Sequence, residues 1–79
     1  MASSHQELSP RELQVVEGIV RGLTYSQIAV EIGVGKEAVK TYAARVRSKF
    51  GLNSKVQIAV WAVENEVVTD ARTDPDQRQ

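Results

Sequence analysis

The amino-acid sequence predicts an all-α fold, a compact domain of four helices at about 10–21, 25–32, 36–50 and 55–65. Three observations carry this expectation. Apolar residues recur at three- and four-residue spacing. Ser/Thr-x-x-Glu/Gln boxes mark three helix starts. Gly22, Gly33 and Gly51 fall where the first three helices should stop. With 79 residues and 42% apolar content there is room for one domain around one small core. We expect that domain to occupy 8–68, between a flexible N-terminal arm at 1–7 and a flexible polar tail at 69–79.

The first helix opens at Ser9-Pro10-Arg11-Glu12, where a hydroxyl caps, proline suits the first helical position and the glutamate reaches back. Thr24-Tyr25-Ser26-Gln27 repeats the box, and Ile28, Ala29 and Ile32 give the second helix a narrow apolar stripe of about two turns. Val34 follows as a buried turn residue. Gly35 serves as N-cap of the third helix, Lys36 to Phe50, with Val39, Tyr42, Ala43, Val46 and Phe50 as its core stripe. Ser54-Lys55-Val56-Gln57 opens the fourth helix. Here Val56, Ala59, Val60, Val63 and Val67 form the stripe expected to face the core, leaving Ile58, Trp61 and Ala62 on the outside.

A short helix, a glycine turn and a longer helix is the helix-turn-helix layout, although structural bundles use it too. Charge adds a second signal. The chain is formally neutral, yet 36–55 holds six basic residues against one acid, a local charge of +5, while the flanks carry −2 and −3. Such a segment is either an ordinary solvated helix face or a basic face offered to DNA. At 100° per residue the third helix places Glu37, Thr41, Ala44 and Ser48 opposite its core stripe. Lys36, Lys40 and Arg47 fall on one shoulder and Arg45 and Lys49 on the other. Short side chains at the crest and cations at the shoulders suit the major groove of double-stranded DNA.

That geometry assigns expected roles. Lys40 and Thr41 contact bases, Lys36, Arg45 and Lys49 contact phosphates, and Ala44 touches a thymine methyl. Glu37 either accepts from cytosine N4 or pairs with Lys40 or Thr41 in solvent. At the start of the second helix, beside Thr24, the free amides near Tyr25 and Ser26 can bind a phosphate. The Tyr25 phenol either donates to DNA or is an amphipathic surface residue. Ile58, Trp61, Ala62 and Asn65 are the expected surface of a symmetric homodimer on a two-fold operator; otherwise Trp61 folds back on the tail.

These residues also carry a resemblance. From Leu8 to about Val68 the chain resembles the LuxR/GerE-type helix-turn-helix domain of bacterial response regulators and quorum-sensing regulators. The matches are Leu8-Ser9-Pro10-Arg11-Glu12, Gly22-Leu23-Thr24, Gln27-Ile28-Ala29, Val39-Lys40 before Tyr42, Lys49-Phe50-Gly51-Leu52 and Ala59-Val60. The resemblance implies a third helix in the major groove and dimerisation through the fourth. It also implies that an N-terminal receiver or ligand-binding domain commonly accompanies the module, so the chain reads as an effector domain or a stand-alone regulator. Where the family usually has Ser, Thr and Asn, this chain has Gly35, Ala38 and Tyr25. Gly18 stands where the family has a larger apolar residue, which implies a reduced core.

Other classes are constrained by what the sequence lacks. There is no cysteine and one histidine, His5, so thiolate or zinc chemistry has no ligand set, and no phosphate-binding glycine loop or apolar carboxylate pair points to an enzyme. No cofactor is implied. The longest apolar run, Ile58 to Val63, is too short to span a bilayer and the N-terminus lacks signal-peptide order, so a cytoplasmic location is expected. Double-stranded DNA, a second copy of the chain and RNA polymerase are the expected partners. The competing readings are a promoter binder resembling region 4 of bacterial sigma factors and a helical protein-interaction module with weak or no DNA binding.

Overall fold

Three of the four helices begin where a side chain can replace the missing backbone acceptor. The computed structural model describes residues 8–67, so the arm at 1–7 and the tail at 69–79 lie outside the described residues. Helix α1 spans Pro10–Val20, α2 Tyr25–Ile32, α3 Lys36–Phe50 and α4 Lys55–Glu64, and the described residues contain no strand. At α1 the Glu12 amide donates to Ser9 Oγ (3.1 Å) and the Ser9 amide donates back to Glu12 Oε1 (3.0 Å). Thr24 and Gln27 form the same reciprocal box at α2. At α4 only half of it forms: Ser54 accepts from the Gln57 amide, but the Gln57 side chain accepts from the amide of Asn53. Helix α3 starts at Gly35 with no side-chain cap.

Gly33 (φ +72°) and Gly51 (φ +67°) close α2 and α3 in the left-handed region, where a Cβ is disfavoured. The turn past each then returns an amide to the helix end, Val34 to the Ala29 carbonyl and Leu52 to that of Arg47. Helix α1 packs against all three others, and α2 packs on α3. The core between them is Val15, Val16, Ile19 and Val20 of α1, Ile28 and Ala29 of α2, Val39, Ala43 and Val46 of α3, and Ile58 and Ala62 of α4. A Cβ at Gly18 would lie 2.6 Å from Ile28 Cγ1, so the missing side chain leaves no hollow: Ile28 rests directly on the α1 backbone. The expectation of a reduced core at that position is corrected accordingly.

The fourth helix is rotated relative to expectation. Ile58 and Ala62, expected outside, are both fully buried, whereas Val56 (71% exposed), Val60 (48%) and Val63 (45%) face solvent. Both faces of α4 are apolar, so periodicity does not choose between them; the larger apolar area does. Ile58 together with Trp61 outweighs three valines, and Trp61 gains a partner by stacking on Phe50 with ring centroids 4.2 Å apart. Ala62 beside Ile58 is small enough for α4 to lie close to α1.

Candidate nucleic-acid interface

Burial of Val39, Ala43 and Val46 fixes the roll of α3, and with it the face left to solvent. Glu37, Thr41, Ala44 and Ser48 are all exposed along that face. Beside them Lys36 is exposed with no ion-pair partner among the described residues. Lys40 holds Glu37 loosely, with Nζ 3.5 Å from Oε2. The Thr41 hydroxyl donates to the Glu37 carbonyl one turn back (3.1 Å), which leaves its oxygen lone pairs and methyl outward. Arg45 stays exposed while its guanidinium lies 5.8 Å from the Tyr42 ring centroid, a cation–π contact that restrains it at the shoulder.

Lys49 is placed differently from the expectation that it grips phosphate. Its ammonium lies 2.5 Å from Oε1 of Glu12, a carboxylate 2% exposed near the start of α1. The last turns of α3 are thereby tied to the first turn of α1. Burial pushes the Glu12 carboxyl up, but the Lys49 hydrogen bond, the Ser9 amide and the charges of Lys49 and Arg45 together hold it below its ordinary value. Nothing in the periodicity of either helix pairs Glu12 with Lys49; the contact joins residues 37 apart in sequence.

A second cluster forms where α2 begins. Thr24 is occupied as the cap, and the first amides of the helix, at Tyr25 and Ser26, have no acceptor among the described residues. Tyr25 is half-buried under Lys55, whose ammonium sits 4.9 Å from its ring centroid and donates to the Leu23 carbonyl (3.0 Å). Lys55 is a residue that reading the chain as separate helices misses. Its position in the basic run was visible, but its approach to Tyr25 follows from how α4 returns to the turn before α2.

On α4 the surface left uncovered differs from the expected one. Ile58 and Ala62 are fully buried and cannot meet a second chain, Trp61 is half-buried against Phe50, and the exposed Asn65 donates its amide to the Trp61 carbonyl. Val56, Val60 and Val63, spaced by four and three residues, make the exposed apolar stripe instead. No helix of the described residues is long and apolar enough to cross a membrane.

A capped short helix, a glycine turn and a longer helix with a solvent-facing basic margin define a helix-turn-helix domain. Comparison with known proteins gives the same class. Residues 6–62 match the family described as GerE, bacterial regulatory proteins, luxR family. The chain is 33% identical over 70 residues to the transcriptional regulatory protein FixJ of Bradyrhizobium diazoefficiens, covering 89% of this chain and 34% of FixJ. It is 33% identical over 67 residues to the transcriptional regulatory protein LiaR of Bacillus subtilis (85% and 32%). Against the nitrate/nitrite response regulator protein NarL of Escherichia coli it is 30% identical over 61 residues (77% and 28%). The chain therefore belongs to the luxR family of bacterial regulatory proteins, and it spans about a third of the length of these curated relatives.

Proposed function

We propose that this domain binds double-stranded DNA as the output element of a transcription regulator, with α3 lying in the major groove. One observation carries the reading: the face of α3 opposite the buried Val39, Ala43 and Val46 is a ridge of short exposed side chains with Lys36, Lys40 and Arg45 at its margins. A ridge of that kind reaches base edges while the longer cations meet the phosphates. In this arrangement Lys40 and Thr41 face bases and Ala44 lies against a thymine methyl. Lys36, Arg45 and the amides of Tyr25 and Ser26 hold the backbone. Lys49, engaged with Glu12, acts by fixing α3 to α1.

Two copies, joined through Val56, Val60 and Val63, would span a two-fold site with their α3 helices about one DNA turn apart. The stripe is the one exposed apolar surface on α4, and it replaces the Ile58–Trp61–Ala62 face.

The test is retention of a randomised duplex library by the purified chain at several salt concentrations. Affinity should fall linearly with the logarithm of salt, and Lys36→Ala should lower the slope by about one while weakening every sequence alike. Lys40→Ala should cost about 1–3 kcal/mol on selected duplexes and relax the preference at one position. Failure to retain any duplex at low salt would defeat the proposal.

A further inference from the structure

At the head of α3 an anion and a cation of the same helix meet on its exposed face. Glu37 is 85% exposed and Lys40 52%, and one turn of helix holds their charged ends 3.5 Å apart. Beside them the Thr41 hydroxyl has spent its hydrogen on the Glu37 carbonyl, and Ala44 is apolar. The Lys40 ammonium and the Glu37 carboxylate are thus a strong donor and a strong acceptor held adjacent and hydrated.

We propose that Lys40 and Glu37 act together to read a single G·C base pair, and that Glu37 is the residue that makes the choice. This rests on the DNA-binding reading above. In the major groove guanine presents two acceptors, N7 and O6, and its cytosine partner presents the N4 amino donor next to O6. A contacting cation and anion are the complement of that edge: the ammonium meets the guanine acceptors and the carboxylate takes the amino hydrogen. An A·T pair offers the wrong order. Where cytosine has its amine, thymine has the O4 acceptor with a methyl beside it, so the carboxylate meets a lone pair instead of a hydrogen.

The electrostatics gives Glu37 its selective role. A carboxylate carried among phosphates weakens attachment to every sequence, and the loss is recovered only where a base donor meets it. Lys40 alone would favour guanine but would also tolerate a phosphate or a thymine O4. With Glu37 bound to it, misplacement of the pair strands the carboxylate.

The test selects duplexes from a randomised library with the full chain and with Glu37→Gln, then measures affinity for the selected duplex and for its three variants at each position. Thermal melting of the variant should match that of the wild type, since Glu37 is exposed. Wild-type selections should share one fixed G·C pair per half-site, and its replacement by A·T should weaken binding on the order of tenfold. Glu37→Gln, whose amide both donates and accepts, should discriminate at that position by no more than about twofold while binding unselected DNA more tightly. If the variant keeps the wild-type preference at every position, or the selected sites lack a fixed G·C pair, the assignment falls and DNA binding stands. If the wild type selects no duplex, the DNA-binding reading falls and takes this inference with it.

Discussion

Glu12 combines two duties in one carboxylate. Its Oε1 accepts from the Ser9 amide, closing the cap of α1, and the same oxygen receives the Lys49 ammonium from the far end of α3. Because its folded pKa is depressed, the pair contributes fully above the unfolded glutamate value of about 4.3, and that contribution is lost as pH falls through the lower folded value. Urea denaturation should show wild-type stability dropping more steeply than that of Glu12→Gln as pH falls below the unfolded glutamate value. At pH 7 the variant should be less stable by about 1–2 kcal/mol, less than the ~3–5 of a fully buried pair, because Lys49 can turn to water. The Lys49 side chain is 35% exposed, which is the basis for that discount. Parallel pH profiles for the two proteins would remove Glu12 from the acid sensitivity of the fold.

Between helices, the closest approach is set by an absence. Gly18 lets Ile28 sit on the α1 backbone, with Cγ1 and Cδ1 at 2.6 and 2.9 Å from where a Cβ would stand. Alanine would gain about 1 kcal/mol in helix propensity, but overpacking a fully buried contact costs about 1–3. Gly18→Ala should therefore lower stability by roughly 1 kcal/mol, with a smaller penalty in an Ile28→Val background where the shortened side chain can rotate. A net gain for the single variant would mean that α2 shifts freely on α1. Elements were the scale at which the sequence was most legible. Caps, boxes and glycine stops are local chemistry, and they placed every helix within one residue of its observed ends. The buried face of α3 was equally legible, since its opposite side is polar. Helix α4 was not, because a ten-residue helix with apolar residues on both sides has no preferred face until a core is present. The Glu12–Lys49 and Tyr25–Lys55 contacts were hidden for the related reason that they join distant segments.

Over the whole molecule, formal neutrality conceals an uneven distribution, with the positive segment 36–55 set between two negative flanks. Attachment to a polyanion would therefore be oriented before any base is read. The other whole-molecule property is assembly. Val56, Val60 and Val63 are exposed without an intramolecular partner sufficient to bury them. Sedimentation of the wild type should show a concentration-dependent monomer–dimer equilibrium, and Val60→Asp should be monomeric with stability changed by no more than about 0.5 kcal/mol. A monomeric wild type at high concentration, or a variant that still dimerises, would move the contact elsewhere.

The stack of Trp61 on Phe50 joins the last residue of α3 to the middle of α4. Since the chain has a single tryptophan, its emission reports the environment of this one junction. The molecule thus carries its own optical gauge. Under the proposed function a ligand on α3 and a second copy on α4 would act on the two helices that meet at this indole, so any coupling between reading and pairing would be open to direct observation without a label.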